Sequence, residues 1–300
     1  MGRLKKKLII SAVLVGWLTA HSTVLVEEHF STAADTAVGD VPGWTTVAKF
    51  EDQPVVNPRS QLLTGGRSYG TTITGIDVLK STAQDGYVYN SAGRVANLIT
   101  TPLSAPIDFS EGSTLYFSAL VSGVNRASFG LGNVPGTNYP DQLLLIGVQP
   151  QISSTETTPK DFGSAVWLGD LTQVHDNTGI AISGDLNTIH LIIGKIVNNA
   201  AGTDEISYHV IDITSSVNIP SVWTDSALTG EVGYYSRTNY DFGGDLVLSN
   251  LFVNLQNNGG LDEIYIGTSY PDVIQSRILH LFFISLNEKQ GEQVSLEHSI

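Results

Sequence analysis

The chain has 300 residues, with 15 Lys+Arg against 29 Asp+Glu, a formal net charge of −14 and no cysteine. The acidic excess argues against nucleic acid or an anionic lipid surface as partner, because phosphates are held by Lys and Arg. The lack of cysteine excludes a disulfide framework, a thiolate nucleophile and a thiolate-bound metal, none of which a chain long enough to bury about three quarters of its unfolded surface requires.

Residues 1–22 read as a secretory signal peptide: Arg3, Lys5, Lys6 and Lys7 precede the apolar run Leu8 to Leu18, and Ala20 and Ser22 are the small residues of a cut after Ser22. The alternative is an uncleaved anchor over Leu8 to Val26, which is about long enough to span a bilayer; His21, Ser22 and Thr23 in its second half weigh against it. Cleavage would leave 11 basic against 29 acidic residues, a net charge of −18. No Asn-x-Ser/Thr acceptor is present, so nothing supports a glycosylated secretory product.

From Thr23 to Val273 apolar residues recur with period two in short runs, the pattern of antiparallel strands. Strands are expected at Val24 to Phe30, Trp44 to Phe50, Tyr87 to Tyr89, Val95 to Ile99 and Thr114 to Ser122. In the last of these, Leu115, Phe117, Ala119 and Val121 face a core, with Thr114, Tyr116, Ser118 and Ser122 on a wet face. Further strands follow at Ser128 to Leu131, Leu143 to Val148, Ala165 to Leu168, Thr188 to Val197, Glu205 to Ile211, Glu231 to Ser236, Leu246 to Val253 and Leu261 to Ile266. Ile206, Tyr208 and Val210 are expected inside, with Glu205, Ser207 and His209 outside. Gly- and Asn-rich stretches such as "QDGY", "SEGS", "HDNTG", "ISGDL", "NNAAGTDE" and "QNNGGL" read as turns, as does "GLGNVPG" at Gly130 to Gly136, whose spacing is wrong for a dinucleotide loop. About a dozen strands with no helical periodicity and no linker imply one all-β, two-sheet antiparallel sandwich over 23–273. The tail 274–300, with its apolar run Ile278 to Leu286, is a short helix on the sandwich, a frayed extension, or residues foreign to the domain.

Glycoside cleavage needs two carboxylates flanking the scissile bond. On a strand, adjacent residues face opposite ways, so the doublets Glu27-Glu28, Glu51-Asp52, Asp204-Glu205 and Asp262-Glu263 are each split by the pleat, and no two acids stand two apart. Asp262 is expected to satisfy backbone donors at the start of the closing strand, with Glu263 on another surface beside Tyr265. An acid pair would have to come from different strands. There is no His-Glu-x-x-His or P-loop motif, and the seven histidines form no ligand-spaced cluster. In "GEVGYYSRTNYDF" and the residues that follow, Tyr235, Arg237, Asn239 and Tyr240 are the candidate ligand-binding residues, since rings stack on sugar faces. Asp241 and Asp245, placed around two glycines, are the candidate calcium ligands.

"VLVEEHFS" after the signal segment, "HLIIGKIVNNAAGTDEISYHV" in mid-chain and "LSNLFVNLQNNGGLDEIYIGTSYPDV" at the close together resemble the concanavalin A-like lectin/glucanase superfamily, in particular the laminin-G-like domains of exported bacterial proteins. The resemblance covers about Val24 to Val273 and implies a two-sheet jelly roll whose first and last strands are neighbours. It also implies recognition of a glycan or another cell-surface ligand without catalysis. The Glu-x-Asp-x-x-Glu pattern of the glucanase branch and a sorting tail with a Pro-Glu-Pro motif are both missing. The expectation is therefore a secreted or surface-located, non-catalytic binding domain. A glycoside hydrolase or lyase with acids from different strands is one alternative, and a structural cell-envelope protein is another.

Overall fold

The structure, a computed structural model, describes residues 23–30, 43–49, 60–64, 73–74, 76, 86–90, 97–122, 126–133, 142–148, 161–168, 173–181, 188–256 and 259–275. Residues 1–22, expected as a signal peptide, and residues 276–300 lie outside them. Among the described residues seventeen strands follow in chain order: β1 (Val24–Glu28), β2 (Thr45–Lys49), β3 (Ser60–Thr64), β4 (Ile73–Thr74), β5 (Gly86–Asn90), β6 (Asn97–Phe109), β7 (Thr114–Ser122), β8 (Ala127–Asn133) and β9 (Gln142–Val148). After these come β10 (Asp161–Leu168), β11 (Gln173–Ala181), β12 (Ile189–Val197), β13 (Asp204–Asp212), β14 (Val217–Asn218), β15 (Gly233–Tyr240), β16 (Leu246–Leu255) and β17 (Gly260–Gly267).

Two antiparallel sheets pack face to face as a jelly-roll sandwich. The eight-stranded sheet runs β15-β13-β12-β7-β17-β5-β3, with β1 also on β17, and the seven-stranded sheet runs β11-β10-β9-β8-β16-β6-β2. A short parallel pair, β4 with β14, stands apart. The first strand therefore lies on the last, Glu27 opposite Tyr265 and Glu28 opposite Ile264, as the resemblance implied.

Alternation builds the interior. Leu115, Phe117, Ala119 and Val121 of β7 and Ile206, Tyr208 and Val210 of β13 face across to Phe129, Ile146, Val166 and Leu251 in one core. The ring of Phe117 lies 5.9 Å from that of Phe129 and 6.1 Å from that of Tyr208. Gly194, on β12 between them, has no room for a side chain: a Cβ there would stand 2.4 Å from Cζ of Phe117 and 2.5 Å from Cβ of Tyr208.

The opposite face of the eight-stranded sheet is not wet, contrary to the alternation argument. Leu120, Leu191, Ile193 and Ile211 on it form a second apolar cluster with Val217, Ile219, Tyr265, Tyr270, Val273 and Ile274. Residues 211–232 and a 3-10 turn at Tyr270–Val273 supply the cover. Ser118 is buried there, its hydroxyl donating to the carbonyl of Val273 at 2.7 Å, and Ser207 and His209 are buried as well. Ile274, just after the 3-10 turn, is part of this cluster.

Strand β6 runs through Pro102 and Pro106, which a central strand would exclude. Its partner β2 covers only the Asn97 to Thr100 half, so both exposed prolines fall where β6 is an edge. "HDNTG", expected as a turn, is part of β11, and the first half of "GLGNVPG" belongs to β8. Both strands pair along much of their length, which overrides turn chemistry read locally.

Candidate functional site

The register of β13 against β15 sorts the predicted binding residues. Tyr208 pairs with Tyr235 and His209 with Tyr234, so the two adjacent tyrosines point to opposite faces. Tyr235 and Tyr240 face inward and are buried; both hydroxyls meet Ser164 Oγ, at 2.7 and 2.6 Å, and lie 3.1 Å from each other. Neither presents a ring to solvent, which corrects the expectation that they stack on a ligand. Arg237 and Asn239 remain accessible, the Nε–H of Arg237 donating to Asn239 Oδ1 at 2.6 Å.

Asp241 and Asp245 are exposed, and each gives an oxygen to a backbone donor: Asp241 Oδ1 accepts from Gly243 N–H at 2.8 Å and Asp245 Oδ1 from Glu111 N–H at 3.0 Å. Gly243 and Gly244 have φ of +74° and +97°, the left-handed region that glycine favours. Asp241 closes its own turn and Asp245 ties the segment to Glu111, and no group of three His, Asp or Glu suited to a metal stands together among the described residues.

A denser polar and aromatic group lies on the outer face of the eight-stranded sheet, where the covering segment lays Trp223 over the strands. The indole centre is 5.0 Å from the ring of His209, 6.4 Å from Tyr116 and 5.7 Å from Tyr270. Tyr234 flanks His209 at 4.8 Å. The Lys195 ammonium lies 5.7 Å from the indole centre, within cation–π reach. One oxygen, Asp225 Oδ1, accepts from Trp223 Nε1–H at 2.7 Å, from Tyr234 O–H at 3.1 Å and from Lys195 Nζ at 3.1 Å. Lys195 also meets Glu205 at 3.3 Å.

Below the indole, His209 Nδ1 is 2.7 Å from Glu231 Oε2 and Nε2 is 3.0 Å from the Thr224 carbonyl, so both ring nitrogens face acceptors. Partial burial pulls the Lys195 ammonium down, but Asp225 and Glu205 outweigh it and hold it above its usual value. Partial burial pushes the Asp225 carboxyl up; the bonds from Trp223 and Lys195 overcome this and hold it below the usual range. Tyr234 is pushed up to about 12, chiefly by burial and further by Asp225. Trp223 and Asp225 sit in a segment without periodicity and carry no sequence signal, and of the adjacent tyrosines it is Tyr234, not the expected Tyr235, that lies on this face.

A second group joins the two ends of the chain. His29 lies between two carboxylates, Nδ1 at 2.9 Å from Glu263 Oε2 and Nε2 at 2.9 Å from Glu27 Oε1. The Tyr265 hydroxyl is 3.4 Å from Nε2 and 3.5 Å from Glu263 Oε2. Glu263 is 1% exposed, and its Oε1 is buried with no hydrogen-bond partner among the described residues. Its φ is +52°, and the β17-β7 register slips between Asp262 and Tyr265. Phe30, next to His29, also has positive φ, +48°. Two non-glycine residues in that region flanking one cluster are stored strain of the kind found at functional sites.

The slip corrects the split expected of Asp262-Glu263. Leu261 pairs with core-facing Val121, and Asp262 pairs with Leu120 on the other face; after the extra residue, Ile264 faces the core again. Both carboxylates therefore fall on the outer side, Asp262 accepting the Glu263 N–H at 2.9 Å as expected of it. The pleat does split the other described doublets. Asp204 is buried and accepts from Phe242 and Asn199 N–H, while Glu205 meets Lys195 outside. Glu28 pairs with core-facing Ile264 and Glu27 with Tyr265. Glu51-Asp52 lies outside the described residues. So does Ser68 of "GRSYG", a Gly-x-Ser-x-Gly spacing that belongs to strand-to-helix elbows of α/β sheets and not to a β-sandwich.

No family model matches the chain, and no curated protein matches it. It is similar in structure to the globular domain of T. cruzi calreticulin, at 12% identity over 92% of this chain and 99% of that one, with a TM-score of 0.47. It is also similar to a lectin from Bauhinia forficata in complex with GalNAc (7% identity, 82% and 97% covered, TM-score 0.39). A third is the calcium-bound exoplasmic domain of VIP36 (9% identity, 83% and 92% covered, TM-score 0.36).

Proposed function

We propose that this protein is an exported, non-catalytic binding domain that takes a glycan on the patch around Trp223. The observation that carries this reading is the immobilised indole. Trp223 is held by its own N–H on Asp225 and rests on His209, with partly exposed Tyr116 and Tyr234 beside it. An aromatic surface flanked by fixed polar groups suits a pyranose, which offers an apolar face and a rim of hydroxyls. The basic, apolar and small-residue pattern of 1–22 supports export.

The test is a polysaccharide array with purified protein, run with and without calcium, comparing wild type and Trp223→Ala. Retention of at least one polymer, weakened about tenfold or more by loss of the ring, is expected. Binding that survives Trp223→Ala unchanged would move the site elsewhere, and a blank array would leave the structural cell-envelope reading in its place.

A further inference from the structure

We infer that Asp225 is the specificity-determining acceptor of the Trp223 patch, and that the patch selects uncharged or amino sugars and rejects polyanionic glycans. The inference rests on the glycan-binding reading and adds the class of sugar.

Its basis is how the two oxygens of one carboxylate are used. A carboxylate has about four acceptor positions. Three donors from three parts of the fold converge on Oδ1: Trp223 Nε1–H, Tyr234 O–H and Lys195 Nζ. These contacts all fall on Oδ1, and the side chain is 62% exposed. A lone surface aspartate would lose rotamer freedom on meeting a ligand; this one is already held by the contacts to Oδ1 while much of its side chain stays in water. Fixed, charged acceptors bind donors better than mobile ones because the ordering cost is absent on binding. Adjacent sugar hydroxyls, or the ammonium of an amino sugar, are the donors that would meet it with the ring lying on Trp223.

The surrounding charges decide the other half. Lys195, the cation of the patch, is engaged by Asp225 and Glu205, and Glu231 lies below on His209. A sulfate or uronate approaching Trp223 meets the Asp225 carboxylate and finds the ammonium already held. Like charges so placed disfavour the anionic ligand without weakening the neutral one.

The experiment coats wells with laminarin, mannan, chitosan, alginate and dextran sulfate and measures retention of wild type, Asp225→Asn and Trp223→Ala at two salt concentrations. Asp225→Asn keeps the size of the side chain and an oxygen for Trp223 and Tyr234, and thermal melts confirm that each variant is folded. Expected is retention on a neutral or amino-sugar polymer and none on the anionic ones. Asp225→Asn should weaken the former about tenfold to a hundredfold, the worth of a hydrogen bond to a charged group, and narrow the gap to the anionic polymers. Trp223-dependent binding that prefers alginate or dextran sulfate, or is indifferent to Asp225→Asn, overturns the inference while leaving a glycan-binding protein. Failure to bind any polymer overturns both.

Discussion

Raising the pH from 6 to 10 should loosen the fold, and His29 sets the size of the effect. Its Nδ1–Glu263 hydrogen bond is the largest influence on its basicity; partial burial opposes it, and the bond to Glu27 adds to it, so the imidazole is pushed up to about 9 from 6.5. A group more basic in the folded chain contributes stability that is fully present below the unfolded value and lost as pH rises through the folded one. The window is therefore about 6.5 to 9. The interval of roughly 2.5 pH units, at about 1.4 kcal/mol each, sets a ceiling of about 3.5 kcal/mol. His29 and Glu27 are 32% and 37% exposed, and water screens such pairs, so about 1 to 2 kcal/mol is expected.

Burial pulls His190 down from its usual value, so its effect falls below pH 6.5, and burial raises Glu28. Lys195, Tyr234 and Tyr270 are raised from values of 10 or more. The assay is urea unfolding at five pH values for wild type and His29→Gln. Losing the imidazole also strands buried Glu263, so the variant should be weaker throughout, and the slope is the diagnostic quantity. Wild type should lose about 1 to 2 kcal/mol across the window and the variant much less; parallel curves would refute the assignment.

The interior makes two further predictions. Ser164→Ala removes the hydroxyl shared by Tyr235 and Tyr240 and should cost about 1 to 3 kcal/mol, because two buried hydroxyls lose a partner; chemical denaturation against Ser164→Thr, which keeps an oxygen, separates that loss from a packing change. Gly194→Ala forces a Cβ against Phe117, Tyr208 and the Ser207 carbonyl, the last 2.3 Å away, and should lower stability by about 1 to 3 kcal/mol or more, read as a fall in melting temperature and loss of near-UV circular dichroism.

Much of the fold was legible because short strands with period-two patterning leave few alternatives. Leu115 to Val121 and Ile206 to Val210 face the core as their alternation requires. The elements that escaped have little apolar signal of their own. β11 carries "HDNTG" and takes its extended form from pairing with β10. β4 and β14 are two residues each and are held by one another. The assumption that one face would be wet failed for a different reason: its cover comes from Val217, Ile219 and the turn at Tyr270–Val273, distant segments whose docking no local pattern announces.

The site was less legible, and the two failures share a cause. Alternation assigns faces only relative to a fixed register, and both decisive choices lay where register was open. Taking Tyr208 as core fixes His209, and through the β13-β15 pairing Tyr234, on the outer face. That single step would have moved attention from Tyr235 to Tyr234, and so to the side of the sheet where Trp223 lies. At Asp262-Glu263 no such step was open, because a bulge resets the count and nothing about a glutamate signals φ of +52°. Bulges re-aim side chains at the cost of regular pairing. Here one puts a buried carboxylate beside a histidine from the far end of the chain. The closing strand is thus a fold marker along Leu261, Ile264 and Ile266 and a polar junction at Glu263, and the same extra residue accounts for both.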